Sequence, residues 1–330
     1  MILVAYGTRP EWIKLEKLIK KLRENNEVRV LFTGQQKDIG EFEYDEFIDI
    51  TERSGNRLSD IVSSILDSVV LDGVTKTVVQ GDTASAFAVA LASFHNQIPV
   101  VHIEAGLRTY NMEQPYPEES YRQMISSIAT YHFCPTIEDT MNIAHEKKNG
   151  QAFTVGNTVI DNLPDLDISY TDDVLVTLHR RENHGELEKW FQELNKLAKK
   201  YSGSNKLNFI LPLHPNPNVQ KHKDILTHVD VIDPLPYPKM ISLLARCKMV
   251  ISDSGGIQEE AAFYQKKVLV CRKTTERPAG IGKNLIMVHS PEQLIDIFDN
   301  QVQDPVINIE CPFGDGYSHI KIASILGELS

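Results

Sequence analysis

Apolar residues come in short runs divided by polar turns, and along most of the chain the runs alternate between the periods of a strand and of a helix. Ile2 to Tyr6 is an unbroken apolar segment of strand length, and Gly7-Thr-Arg-Pro10 reads as a turn. Glu11 to Arg23 then sets Ile13, Leu15, Leu18, Ile19 and Leu22 on one side of a helix. A strand over Val28 to Phe32, a helix near Leu58 to Val70, a strand at Thr77 to Val79, a helix over Ala84 to Phe94 and a strand at Val100 to Ile103 follow. Short strands separated by helices predict a parallel, doubly wound sheet.

A polar stretch around Asp165 to Asp173 interrupts this rhythm, which then restarts. The second series has strands at Val174 to Thr177, Asn208 to Leu211, Val229 to Ile232, Met249 to Ile251 and Lys267 to Val270. Its helices are Glu186 to Tyr201, Lys239 to Arg246 and Gly256 to Tyr264. The pattern predicts an α/β protein of two Rossmann-like domains, residues 1–165 and 166–317, with parallel sheets facing a cleft. A last helix, about 318–330, follows Gly314-Asp-Gly316 and is expected to pack back on the first domain.

With 330 residues, 42% of them apolar, the chain has material for two separate cores. A formal charge of -11 opposes a general grip on nucleic acid or an acidic membrane, while leaving room for a local basic pocket around one phosphate group. Cys134, Cys247, Cys271 and Cys311 show no CxxC spacing, so neither a zinc knuckle nor a disulfide framework is predicted, and a reducing cytoplasm fits. The apolar run at Ile2 is too short for a signal sequence, and no other segment approaches a membrane span. HxH and HExxH clusters, a GxGxxG turn and a P-loop lysine pattern are all absent from the sequence, so no metal and no dinucleotide cofactor is expected.

In open parallel sheets ligands bind beyond the carboxyl ends of the strands, and the polar motifs of this chain fall at those ends. Ser252-Asp-Ser-Gly-Gly256 leads from a strand into a helix, where Ser254, Gly255 and Gly256 would present backbone N–H groups and a hydroxyl to a phosphate; an ordinary turn capped by Ser254 is the alternative. Glu260, one turn on, would reach a ribose diol or face solvent. Arg9 and Lys14 are placed to hold the charge of a diphosphate, or are solvated surface groups. Asp82 follows a strand, with Thr83 set to cap the next helix; Glu104 follows another strand, and Glu118 begins a helix. Acids so placed are either catalytic or paired with an arginine, for which Arg108 and Arg122 are the candidates. His179, ahead of Arg180, and His214 each follow a strand as well.

The series Gly7-Thr-Arg-Pro-Glu11, Gly81-Asp-Thr83, His102-Ile-Glu-Ala-Gly-Leu-Arg108, Pro117-Glu-Glu119, Gly156-Asn-Thr-Val-Ile-Asp161, His179-Arg-Arg-Glu-Asn183, Ser252 to Glu260, Thr274-Thr-Glu-Arg-Pro278 and Gly314-Asp-Gly316 spans nearly the whole chain. In that order it resembles the UDP-N-acetylglucosamine 2-epimerase family, in its non-hydrolysing branch. The resemblance implies a GT-B fold, a UDP-sugar substrate, no cofactor, a homodimer and a role in supplying cell-surface polysaccharide synthesis. It also implies catalytic positions at Asp82, Glu104, Glu118 and His179. The UDP-sugar site would be lined by Arg9, Lys14, Arg122, Arg180, His214, Met240, Ser254, Gly255, Gly256 and Glu260.

The chain departs from the family's pattern at four places. Gln36 replaces the histidine of a Gly-Gln-His triplet that serves a regulatory UDP-sugar site, Ala279 replaces a glutamate, the stretch after Ala279 is shorter than the family's, and Met240 stands where an aromatic residue often packs on uracil. Four other readings share most of these features: a hydrolysing epimerase that releases N-acetylmannosamine, an epimerase of a modified UDP-diacetamido sugar, a GT-B glycosyltransferase, and an inactive UDP-sugar sensor.

Overall fold

A computed structural model describes residues 1–37, 42–203 and 206–329; residue 330, the far end of the expected last helix, lies outside them. Two compact units emerge, Met1–Asn162 together with Gly314–Ser330, and Leu163–Phe313.

The first unit has strands β1 (Ile2–Tyr6), β2 (Val28–Phe32), β3 (Glu46–Phe47), β4 (Lys76–Gln80), β5 (Val100–Ile103), β6 (Tyr131–Cys134) and β7 (Gln151–Thr154). Its helices are α1 (Arg9–Arg23), α2 (Arg57–Ser68), α3 (Ala84–His95), α4 (Glu118–Ile128), α5 (Ile137–His145) and α6 (Thr158–Asp161). The strands form one parallel sheet in the order β3-β2-β1-β4-β5-β6-β7, so the order reverses between β1 and β4. β1 shows why its sequence is apolar throughout: Ile2, Val4 and Tyr6 pack into a core on one face, and Leu3 and Ala5 into a core on the other. A central parallel strand has no wet side.

The second unit repeats the plan. Its strands are β8 (Asp173–Thr177), β9 (Asn208–Pro212), β10 (Asp230–Ile232), β11 (Met249–Ser252), β12 (Val268–Val270) and β13 (Leu285–Met287). They run parallel in the order β10-β9-β8-β11-β12-β13, reversing between β8 and β11. Helices α7 (Leu187–Lys200), α8 (Pro217–Gln220), α9 (Tyr237–Arg246), α10 (Gly255–Phe263) and α11 (Leu294–Val302) accompany them. α7 buries Leu187, Trp190, Phe191, Leu194, Leu197 and Ala198, a stripe at helical spacing that forms the centre of this unit's core.

The last helix, α12 (Ser318–Glu328), belongs to the first unit, with Ile322 and Leu326 in the same core as β1 and α1. Its start is held by the buried carboxylate of Asp161, which accepts the Ser318 amide at 2.9 Å, the His319 amide at 2.7 Å and a contact from the His319 ring at 3.0 Å. A carboxylate at this position satisfies two helix-end donors and complements the helix dipole. Asp161→Ala is expected to lower stability by about 1–2 kcal/mol and to increase hydrogen exchange along α12 before that of the sheet. Equal protection of α12 in the variant would refute the anchoring role.

Two differences from the sequence reading concern this architecture. α1 begins at Arg9 rather than Glu11, because Pro10 sits in the first helical turn, where its missing N–H has no partner to lose. β3, β6, β7, β13, α5 and α11 are present although the apolar periodicity did not predict them. The strands among them have two to four residues, too few to display a period, and β7 is an edge strand with a polar, partly exposed pattern. Among the described residues no helix is long and apolar enough to cross a membrane.

Candidate active site

At the carboxyl edge of the first sheet, β1 runs into Gly7, and a Cβ there would lie 2.2 Å from Ser85 Oγ and 2.6 Å from Thr33 Oγ1, so only glycine fits. Arg9 follows at the head of α1; its side chain is exposed, and its amide donates to Gln36 Oε1 at 3.1 Å. Glu11 turns inward beneath this loop, accepting the Gly7 amide at 3.0 Å, the Thr8 hydroxyl at 2.8 Å and the Thr83 hydroxyl at 2.7 Å. Burial is the main reason its carboxyl is pushed up to about 7, with the charge of Asp82 adding to the rise and these hydrogen bonds opposing it.

β4 leads into Gly81, whose φ of +71° makes the turn that presents Asp82. Thr83 caps α3 by accepting the Ala86 amide at 3.0 Å. Asp82 Oδ2 accepts Arg122 Nε at 2.7 Å and lies 2.6 Å from Arg122 Nη2, while Arg122 Nη1 donates to Glu119 at 3.1 Å. Glu119, fully buried, also accepts the amides of Thr109 and Tyr110, at 2.9 and 3.1 Å. Arg122 is thus fixed from behind by Glu119 and presents its remaining face to Asp82.

Glu104 leaves β5 with φ +63°, in the left-handed region that costs a residue with a Cβ about 1–3 kcal/mol. Its carboxylate accepts from Lys14 of α1 and from Gln80 of β4. Glu118 is the first residue of α4 and partly exposed, where a carboxylate is favoured by the helix dipole. Of the two arginines considered as partners for these acids, Arg122 holds Asp82. Arg108 instead grips Glu146, through Nε at 2.6 Å and Nη2 at 3.0 Å.

The second sheet's edge is organised by Asp253, 0% exposed, which follows β11 at the point where strand order reverses. Its carboxylate accepts the His179 amide at 3.0 and 3.1 Å, the Arg180 amide at 2.9 Å and Asn183 Nδ2 at 3.0 Å. This one side chain therefore shapes the loop that carries His179 and Arg180. The His179 ring stacks on that of His214, with centroids 4.9 Å apart and planes at 14°. Burial, together with the nearby His214, Arg180 and His184, holds His179 below the usual histidine range, and Asp253 opposes the shift. His214 Nδ1 accepts the Asn216 amide at 3.1 Å, which leaves its Nε2 as the protonated nitrogen.

Ser254 is the N-cap residue of α10, yet its side chain makes no capping bond, so the hydroxyl is not used to satisfy the helix start. Gly255 is required by contact: a Cβ would stand 2.6 Å from Arg277 Nη1. Gly256 has open space on that side. Behind the turn lies a buried ionic chain in which Arg277 donates to Glu259 at 2.8 Å and Glu276 at 2.5 Å, and Arg272 donates to Glu276 at 2.8 Å and Glu182 at 2.5 Å. Glu260 accepts the Tyr237 hydroxyl at 2.8 Å, with Met240 one turn further along the same α9.

The structure thus joins Asp82 to Arg122 and Glu104 to Lys14 on the first unit, and gathers His179, Arg180 and His214 on the second. Glu11, Asp253, Asn183 and Glu119 are the organising groups that sequence reasoning did not single out. All four sit within the quoted motifs, but nothing local distinguishes a side chain that holds a loop from one that faces a ligand. Among the described residues no group of three or more His, Cys, Asp or Glu side chains is arranged to hold a metal ion.

The family model described as UDP-N-acetylglucosamine 2-epimerase matches residues 20–327. The chain is 36% identical over 359 aligned positions to the UDP-N-acetylglucosamine 2-epimerase of Neisseria meningitidis serogroup A, covering 96% of each. It is 35% identical over 376 positions to that of Campylobacter jejuni, covering 98% of this chain and 97% of the relative. The crystal structure of the UDP-GlcNAc 2-epimerase from Neisseria meningitidis bound to UDP-GlcNAc superposes with a TM-score of 0.89 at 34% identity, covering 99% of each chain. With two doubly wound α/β units, a family match across 20–327 and relatives aligned over nearly their whole length, this chain belongs to the UDP-N-acetylglucosamine 2-epimerase family.

Proposed function

We propose that the chain interconverts UDP-N-acetylglucosamine and UDP-N-acetylmannosamine without net hydrolysis, as a cytoplasmic homodimer supplying polysaccharide synthesis. The hydrogen at C2 is not adjacent to a carbonyl, so a side-chain base cannot remove it at neutral pH until the bond is weakened. Departure of UDP from C1 does this: as the C1–O bond breaks, positive charge on C1 and the ring oxygen acidifies C2–H, and loss of the proton gives the 2-acetamidoglucal and UDP. Proton delivery to the opposite face of C2 and return of the UDP oxygen to C1 give the epimer. Atoms and electrons balance, so no redox coenzyme is required.

Such a cycle needs donors for the diphosphate and acid and base groups for the sugar. In this reading the Ser254 hydroxyl, the amides at the head of α10 and Arg180 serve the nucleotide, each well-placed donor contributing roughly 3 kcal/mol to the transition state, and His179 is counted with the catalytic groups. Met240 lies toward uracil, Glu260 and His214 toward ribose and phosphate, and Arg9 takes up charge on the departing UDP. Asp82, Glu104 and Glu118 move protons at C2. The observation that carries the reading is the pairing of Asp82 with Arg122 and of Glu104 with Lys14 at one sheet edge. The two cations hold these carboxylates in fixed positions at the carboxyl edge of the sheet, where a ligand of a doubly wound fold binds.

Proton NMR of a reaction in heavy water is the test. Incorporation of deuterium at C2 into a steady mixture of two UDP-sugars is the expected result. Accumulation of free N-acetylmannosamine and UDP would replace the proposal with the hydrolysing reaction, and an unlabelled C2 would remove it.

A further inference from the structure

Glu11 is more enclosed than Glu104, 2% exposed against 8%, and has been given no role in the chemistry so far. Its two carboxylate oxygens face different parts of the sheet edge. Oε2 holds the turn after β1, through the Gly7 amide at 3.0 Å and the Thr8 hydroxyl at 2.8 Å. Oε1 holds the turn after β4, through the Thr83 hydroxyl at 2.7 Å. β1 and β4 are the adjacent strands between which the strand order reverses, so one side chain joins the two loops that frame the sheet's ligand-binding position.

The Thr83 hydroxyl has no freedom in this arrangement. It accepts the Ala86 amide at 3.0 Å and must therefore direct its own hydrogen to Glu11. On the other side of Asp82, the Gly81 carbonyl accepts His102 Nε2 at 2.7 Å. Asp82 is thus flanked by two backbone positions tied to buried side chains, while Arg122 holds its carboxylate. Glu11 ties this turn to the head of α1.

We propose that Glu11 is a positioning residue for Asp82: it locks the Asp82 turn to the start of α1, so that the catalytic carboxylate and the Arg9 end of that helix keep one separation through the reaction. This inference rests on the epimerase reading. Misplacing a reacting group by about 1 Å costs about 100-fold in rate without changing which groups bind the substrate. The signature of such a role is a loss in kcat with KM preserved.

The experiment measures C2 exchange in heavy water for Glu11→Ala, Glu11→Gln and the unaltered chain, alongside KM for UDP-N-acetylglucosamine and thermal unfolding. Glu11→Ala is expected to lose about 100-fold in kcat with KM within about threefold, and Glu11→Gln, which keeps an accepting oxygen for the Gly7 amide but turns an NH2 toward the Thr83 hydroxyl, is expected to fall between Glu11→Ala and the unaltered chain. If Glu11→Ala does not fold, Thr83→Val carries the test: it removes both the tie to Glu11 and the cap on the Ala86 amide, whose loss thermal unfolding reads separately, and it should lose kcat where Thr83→Ser, which keeps both bonds, does not. Normal kcat in folded Glu11→Ala, or in Thr83→Val, would overturn the inference, as would a loss confined to KM. Lack of exchange by the unaltered chain would instead remove the epimerase reading, and this inference with it.

Discussion

Glu104→Gln is expected to lower C2 hydrogen exchange by at least about 1,000-fold while leaving affinity for UDP within about threefold. The substitution keeps the size of the side chain and its ability to accept from Gln80, but removes the negative charge that faces Lys14 and the capacity to carry a proton. General acid–base catalysis contributes about 100- to 10,000-fold, and a group in a costly left-handed conformation at a strand end is held there by its surroundings rather than by local preference. Affinity for UDP survives because Glu104 is not among the proposed nucleotide contacts, all of which except Arg9 belong to the second unit. Deuterium incorporation followed by NMR, with UDP binding measured by calorimetry, checks both halves. Exchange at the normal rate in the variant would take Glu104 out of the reaction; equal loss of exchange and of UDP affinity would mean a structural effect instead.

Asp253→Ala is expected to destabilise the chain by about 3–5 kcal/mol and to weaken UDP binding at least about tenfold. Two backbone amides and the Asn183 side chain donate to this fully buried carboxylate, and alanine leaves those donors facing a cavity. Each buried donor left unmade costs about 1–3 kcal/mol, and the loop that presents His179 and Arg180 loses its anchor at the same time. Urea unfolding with a probe in the second unit measures the first effect and calorimetry the second. Asp253→Asn separates charge from shape: it keeps one accepting oxygen but turns an NH2 toward the donors, and should fall between the two. A variant with unchanged midpoint and unchanged UDP affinity would show that the loop is held by other contacts.

Much of the framework is visible in the sequence because it is local. β1, β4, β5, β8 and β11 are buried between packed layers over nearly their whole length, so most of their residues are apolar, and a helix follows each of them in the chain. The positions of Asp82, Glu104, His179 and Ser254 at carboxyl edges follow from the same reasoning, since a strand's end is a property of a few consecutive residues. Ser254 as N-cap residue was legible too, although the absence of a capping bond from its hydroxyl was not.

Which charges meet was decided by the tertiary structure alone. Lys14 is 90 residues from Glu104 and Arg122 is 40 from Asp82, and nothing in either neighbourhood specifies the other. Arg108 lies four positions after Glu104, yet it pairs with Glu146, 38 residues further on. Glu11 and Asp253 were hidden for the same reason: an acid becomes an anchor only when folding removes water and brings donors from separate segments to it. Sequence sets hydrophobic period and turn chemistry, which act over a few residues; ion pairing, burial and the resulting shifts in proton affinity depend on distances through space, which exist only once the sheets have formed.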